Sequence, residues 1–78
     1  MIEIRISSDP RLLTVVRAMV SQVCELAACS EEEQRKIVLA VDEACSNIIR
    51  HTYQCDCNRT IDIRCQGDEK RLEIVLRD

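Results

Sequence analysis

Seventy-eight residues leave room for one small domain, and folding at this size buries only about 60–65% of the unfolded surface. Apolar residues make up 46% of the chain and charged residues 32%, the balance of a globular domain rather than of a disordered tail. With 11 basic and 14 acidic side chains the net charge is −3, and Tyr53 is the sole aromatic residue, so the general attraction and the stacking platforms of a nucleic-acid binder are absent.

Ile2, Ile4 and Ile6 alternate with Glu3 and Arg5, which predicts a short half-buried strand. Ser7-Ser8-Asp9-Pro10 announces a helix, with Asp9 as N-cap and Pro10 at the first helical position, where no amide donor is needed. Leu12, Leu13, Val16, Met19, Val20, Val23, Leu26 and Ala27 then recur at three- and four-residue spacing, predicting an amphipathic helix to about Ala28. Ser30-Glu31-Glu32-Glu33 reads as a capping box opening a second helix, whose apolar stripe is Ile37, Ala40, Val41, Ala44 and Ile48 and which runs to about His51. Tyr53 to Arg59 is aperiodic and reads as a loop. Ile61, Ile63 and Cys65, then Leu72, Ile74 and Leu76, alternate with polar neighbours on either side of a turn at Gly67-Asp68-Glu69-Lys70, a β-hairpin. The order strand-helix-helix-strand-strand predicts an α+β two-layer sandwich, with helices on one face of a mostly antiparallel sheet.

No apolar run reaches 18 residues, so no membrane span is expected. The start of the chain lacks the basic, apolar and small-residue regions of a signal peptide. Six cysteines (Cys24, Cys29, Cys45, Cys55, Cys57 and Cys65) are compatible with a secreted disulfide framework, but ordinary helix and strand patterns surround them. The expectation is a cytoplasmic protein with reduced thiols.

Chemistry concentrates in the second helix. At about 100° per residue, Glu43 and Asn47 stand about 40° apart, Arg50 lies about 20° to one side of Glu43 and His51 about 80° to the other. This polar stripe runs beside the apolar stripe rather than opposite it, at the edge where helix meets sheet. Glu43 and Asn47 read either as a solvated pair or as functional groups bordering a cleft. Arg50 reads as a solvated helix-end cation rather than a phosphate ligand, and His51 as a helix-end cation that favours the dipole. His51, Cys55, Cys57 and Cys65 give His-x3-Cys-x-Cys-x7-Cys, four soft ligands to set against a zinc site, although the Cys-x-Cys gap is short for one and Cys65 reads as core-facing. A Cys55–Cys57 disulfide would be strained.

Glu43-Ala-Cys-Ser-Asn47 resembles the N-box (Glu-x-x-x-Asn) of the GHKL, or Bergerat-fold, ATPases, the superfamily of gyrase, histidine kinases and mismatch-repair ATPases. The longer run Ile37-Val-Leu-Ala-Val-Asp-Glu-Ala-Cys-Ser-Asn-Ile-Ile-Arg-His-Thr-Tyr53 is most similar to the bacterial anti-sigma-factor serine/threonine kinases of the RsbW type. Ser8-Asp-Pro-Arg-Leu-Leu13, the Ser30-Glu-Glu-Glu33 start and Leu72-Glu-Ile-Val-Leu-Arg-Asp78 resemble that branch too, so the likeness covers nearly the whole chain.

The resemblance implies roles. Asn47 would bind Mg²⁺ through its side-chain oxygen and so hold ATP, and Glu43 would be the general base for a serine or threonine hydroxyl of a partner protein. Asp78 would begin the Asp-x-Gly-x-Gly box and accept from the adenine amino group, and His51 would match the histidine that follows the N-box beside the nucleotide. The implied partners are an anti-sigma-factor antagonist protein and a sigma factor, with a homodimer as the assembly and neither nucleic acid nor membrane as ligand. The chain departs from the family pattern after Asp78: the glycines, the lid and the second glycine-rich box do not follow, and Gly67, the one glycine, sits in the hairpin. Residues 1–78 are therefore expected to be the front part of such a domain, weak or inactive toward ATP alone. The alternative is a non-catalytic protein-binding module on the same scaffold. A histidine-kinase catalytic domain is disfavoured, because Met1 leads directly into the first strand.

Overall fold

The computed structural model describes residues 1–67 and 71–78. Three strands, β1 (Ile2–Ser7), β2 (Thr60–Gly67) and β3 (Leu72–Arg77), form an antiparallel sheet in the order β1-β2-β3. Two helices, α1 (Leu13–Leu26) and α2 (Glu31–Asn47), cover one face of it. This is the expected two-layer α+β sandwich. Of the turn read at Gly67-Asp68-Glu69-Lys70, Gly67 closes β2 and the other three positions lie outside the described residues.

Local chemistry accounts for the element starts. Asp9 accepts from the Arg11 amide at 2.9 Å and caps a 3₁₀ turn, Pro10–Leu12, which leads into α1. At α2 the Glu33 amide donates to Ser30 Oγ at 3.1 Å and the Ser30 amide to Glu33 Oε1 at 3.0 Å, so both halves of the capping box are made. These hydrogen bonds hold the Glu33 carboxyl below its ordinary value. Ser30→Ala is expected to lower stability by about 1 kcal/mol, read as a shift in the urea midpoint. The Glu33 half of the box is present above the unfolded carboxyl pKa and is lost as pH falls through the lowered folded value, so the penalty of Glu33→Ala shrinks in acid.

The sheet buries alternate residues. Ile61, Ile63 and Cys65 of the central strand are buried against Leu13, Val16, Val20, Val23 and Cys24 of α1 and Val41, Cys45 and Ile49 of the second helical segment. Ile4, Ile6, Leu72, Ile74 and Leu76 on the outer strands are half-buried on the same side. The other face carries cross-strand ion pairs, with Arg5 on Asp62 at 2.6 Å and Arg64 on Glu3 at 3.0 Å. Gly67 is required by a close approach: a Cβ there would stand 2.7 Å from the Arg71 carbonyl oxygen.

Three details depart from the expected pattern. Leu26, placed in the α1 stripe, is 81% exposed: on the last turn it borders an open hollow shared with Ile2, Gln66 and Gly67 instead of packing into the core. Ala40 is exposed, while Cys45, absent from the expected α2 stripe, is fully buried and behaves as a small hydrophobe. The helical path does run past His51, but α-helix gives way to a π-helical turn over Ile48–Thr52, closed by Tyr53 N–H donating to the Ile48 carbonyl at 2.9 Å.

Buried Ser8 fastens the loop that follows. Its hydroxyl donates to the Asp56 carbonyl and accepts from the Arg59 amide at 3.2 Å, while its own amide donates to the Arg59 carbonyl at 2.8 Å. Gln54 and Cys55 in this loop adopt positive φ of 51° and 63°.

Candidate functional site

α2 runs antiparallel to α1. Gln34 Nε2 donates to Ser21 Oγ near one end of the pair, and Arg17 pairs with Asp42 at 2.7 Å near the other. The C-terminal half of α2 therefore stands above the end of the sheet where β2 begins, and Tyr53 Oη donates to the Thr60 carbonyl there at 2.6 Å. Opposite Asp62 in the register is Arg77, so the C-terminus of β3 reaches this same end. Asp78, one residue on, has the pleat parity of Leu72, Ile74 and Leu76, the side chains that face the helices.

Between α2 and β3 lies an open cleft of about 350 Å³, floored by Ile37, Ala40, Val41 and Ala44 from the helix and by Leu72, Ile74 and Leu76 from the strand. The small side chains of Ala40 and Ala44, one helical turn apart, keep it open. Glu43 and Asn47 stand on the polar stripe of α2 beside these alanines and do not themselves line the cleft. Both are exposed, as are His51 and Asp78. None of these four side chains takes part in a hydrogen bond or ion pair among the described residues. Asp42, next to Glu43 in sequence, points the other way and is held by Arg17.

Sequence reasoning named the polar-stripe residues but read Ala40 and Ala44 as ordinary core. Two alanines at i and i+4 between a polar stripe and a branched apolar stripe were the available signal. The π-helical turn alters one angle. Residues in a wider turn each advance less than 100° about the axis, so His51 swings back toward the line through Glu43 and Asn47, rather than standing about 80° away as α-helical geometry gives.

The donor set suits a hydrated divalent cation carrying phosphates. An amide oxygen and a carboxylate are hard ligands, Mg²⁺ retains several waters, and neither group is engaged elsewhere. The soft set does not assemble. Cys65 faces α1, with its thiol 3.7 Å from Met19 Sδ, while Cys55 and Cys57 are exposed in the loop. Among the described residues no group of three or more His, Cys, Asp or Glu side chains is placed to share a metal ion. No helix among them is long and apolar enough to cross a membrane.

Comparison with known proteins agrees with this architecture. Residues 6–78 match the profile of the histidine kinase-like ATPase domain. The serine-protein kinase RsbW of Bacillus subtilis (strain 168) is 31% identical over 77 residues, covering 99% of this chain and 48% of that protein. The serine-protein kinases RsbW of Bacillus licheniformis and Halalkalibacterium halodurans are 29% and 30% identical over 77 residues, with 48% and 46% of their lengths covered. The chain thus spans about half the length of these relatives. The profile match over nearly the whole chain, on an antiparallel sheet with the Glu43–Asn47 helix laid across it, places the chain in the histidine kinase-like ATPase domain family.

Proposed function

We propose that residues 1–78 form the front part of a nucleotide-binding kinase domain, ending at the first residue of an Asp-x-Gly-x-Gly box. The whole protein would be a cytoplasmic, homodimeric anti-sigma factor that phosphorylates a serine or threonine of its antagonist protein. One observation carries this reading: Glu43 and Asn47 stand exposed and unpartnered on α2, the helix that walls the α2–β3 cleft, with Asp78 at the same end of the sandwich. Mg²⁺-ATP, when bound, supplies the transferable phosphoryl group and the charge neutralisation that phosphoryl transfer needs. Asn47 offers its amide oxygen to the metal, Asp78 accepts a hydrogen bond from the adenine amino group, and His51 lies on the nucleotide side of the helix end. Glu43 orients the incoming hydroxyl and takes its proton.

The test uses Mg²⁺-ATP titrated into the 78-residue chain and into a chimaera that continues it past Asp78 with the second half of Bacillus subtilis RsbW. The chimaera is expected to bind and the shorter chain to bind at least tenfold more weakly. Asn47→Ala in the chimaera is expected to weaken Mg²⁺-ATP at least tenfold, a difference of about 1.4 kcal/mol, with little change for ATP in EDTA. Equal affinity of the Asn47→Ala and parent chimaeras for Mg²⁺-ATP would exclude the metal role.

A second reading is a protein-binding module without turnover, favoured by the open apolar cleft between α2 and β3. Partner capture that is equal with and without ATP supports this module over the kinase.

A further inference from the structure

α1 ends in a backbone motif that pairs two cysteines. Ala28 adopts a positive φ of 57°, the Cys29 N–H donates to the Cys24 carbonyl at 3.0 Å, and the Ala28 N–H donates to the Glu25 carbonyl at 3.1 Å. These are the two hydrogen bonds of a Schellman turn, in which the residue after the left-handed position folds back on the side chain five residues earlier. In most helices those two positions hold hydrophobes; here they hold Cys29 and Cys24, whose thiols are near enough to act on each other. Cys24 is fully buried, and Cys29 is half-buried and packs against the same core.

We infer that Cys24 and Cys29 form a peroxide-sensitive dithiol that closes to an intramolecular disulfide at the α1–α2 corner. The exposures set the order of events. Burial, reinforced by the adjoining Cys29 thiol, pushes Cys24 up to about 11, which leaves it a poor nucleophile toward solvent oxidants. Cys29 is therefore oxidised first. Its thiolate attacks one oxygen of hydrogen peroxide: an S–O bond forms, the O–O bond breaks, and the departing hydroxide takes a proton as water. The Cys24 sulfur then attacks the Cys29 sulfur, forming S–S as the S–O bond breaks, and the second hydroxide leaves with the Cys24 proton as water. Two thiols are oxidised by two electrons in all, and one peroxide is reduced to two waters.

The other thiols lack this arrangement. Cys45 is buried, with Asp42 as the neighbour that acts on its thiol, and Cys65 is buried beside Met19. Cys55 and Cys57 are exposed but only two residues apart. The proposed bond would staple the corner from which the helix bearing Glu43 and Asn47 departs.

The test uses the 78-residue chain with Cys55→Ser and Cys57→Ser, treated with equimolar hydrogen peroxide, quenched, unfolded, alkylated with iodoacetamide and digested with trypsin. Cys24 and Cys29 share the tryptic peptide spanning residues 18–35, and Glu25 allows a second protease to cut between them. Alkylatable thiols are expected to fall from four to two. The 18–35 peptide should become lighter by two hydrogens, remain joined after cleavage at Glu25, and recover with dithiothreitol. In the added Cys29→Ser variant, Cys24 should remain alkylatable after the same treatment. A peptide 18–35 in which fragmentation places added oxygen on Cys24 or Cys29 rather than on Met19, or that is linked to the Cys65 peptide, would overturn the proposal. So would equal loss of Cys24 in Cys29→Ser, or an equal yield of the bond when peroxide is added to the urea-unfolded chain.

Discussion

Glu43→Gln in the RsbW chimaera is expected to lower the rate of serine phosphorylation by roughly 10²–10⁴-fold, with Mg²⁺-ATP affinity held within about threefold. The change keeps the shape of the side chain and removes only its capacity to take a proton. Glu43 is exposed and makes no hydrogen bond or ion pair among the described residues, so nothing in the fold depends on its charge. Stability should stay within about 0.5 kcal/mol of the parent. Asp42→Asn is the matched control. Its carboxylate lies one residue away but pairs with Arg17 on the α1 side, so its loss is expected to leave the rate unaltered. Single-turnover transfer from radiolabelled ATP to a serine-bearing antagonist reads the rate, and equilibrium titration reads the affinity. A parent-like rate in Glu43→Gln would exclude the base role while leaving the nucleotide site to the Asn47 test.

Ile61→Ala is expected to have the largest effect on folding. Ile61 is fully buried on the central strand, beneath both helices. Truncating such a side chain costs about 2–5 kcal/mol, the transfer term plus the cavity left behind. A domain of this size has roughly 4–12 kcal/mol in total, so a large part of its stability would be lost. Urea unfolding followed by circular dichroism measures the difference. Leu26→Ala removes an apolar side chain of the same volume from an exposed position and is expected to stay within about 0.5 kcal/mol. Equal penalties at the two positions would mean that the sheet–helix core is not where the chain's stability resides.

The contrast between those two residues shows where sequence reading succeeded and stopped. Signals confined to a few neighbours were legible. Ser30 and Glu33 make the box their spacing predicts, Asp9 caps the turn before α1, and alternation placed Ile61, Ile63 and Cys65 on the buried face. Positions decided by partners distant in sequence were not. Leu26 continues the helical period of α1 but borders an open hollow at the end of the sheet, while Cys45, off the expected stripe, is fully buried in one cluster with Ile61 and Ile63. The π-helical turn after Asn47 has no proline or glycine to announce it; it follows from Tyr53 reaching Thr60 and Ser8 holding the loop. For the candidate site, periodicity located the stripe at Glu43 and Asn47, and the likeness to the N-box supplied the roles. The cleft beside them required the register of β3, which no local pattern in α2 contains.

That register has a consequence for how the chain is made. β1 pairs along its whole length with β2, from Ile2 opposite Cys65 to Ser7 opposite Thr60, and, among the described residues, with no other strand. At ~5–20 residues per second, the partner of β1 emerges from a ribosome roughly 3–12 s after it. Both helices are synthesised in that interval, so their hairpin precedes any sheet. The closure of a loop this long, rather than helix formation, sets the pace of folding. Until β2 arrives, Ile2, Ile4 and Ile6 form a strand with two bare edges, and the nascent chain is most exposed to pairing with a neighbour during those seconds.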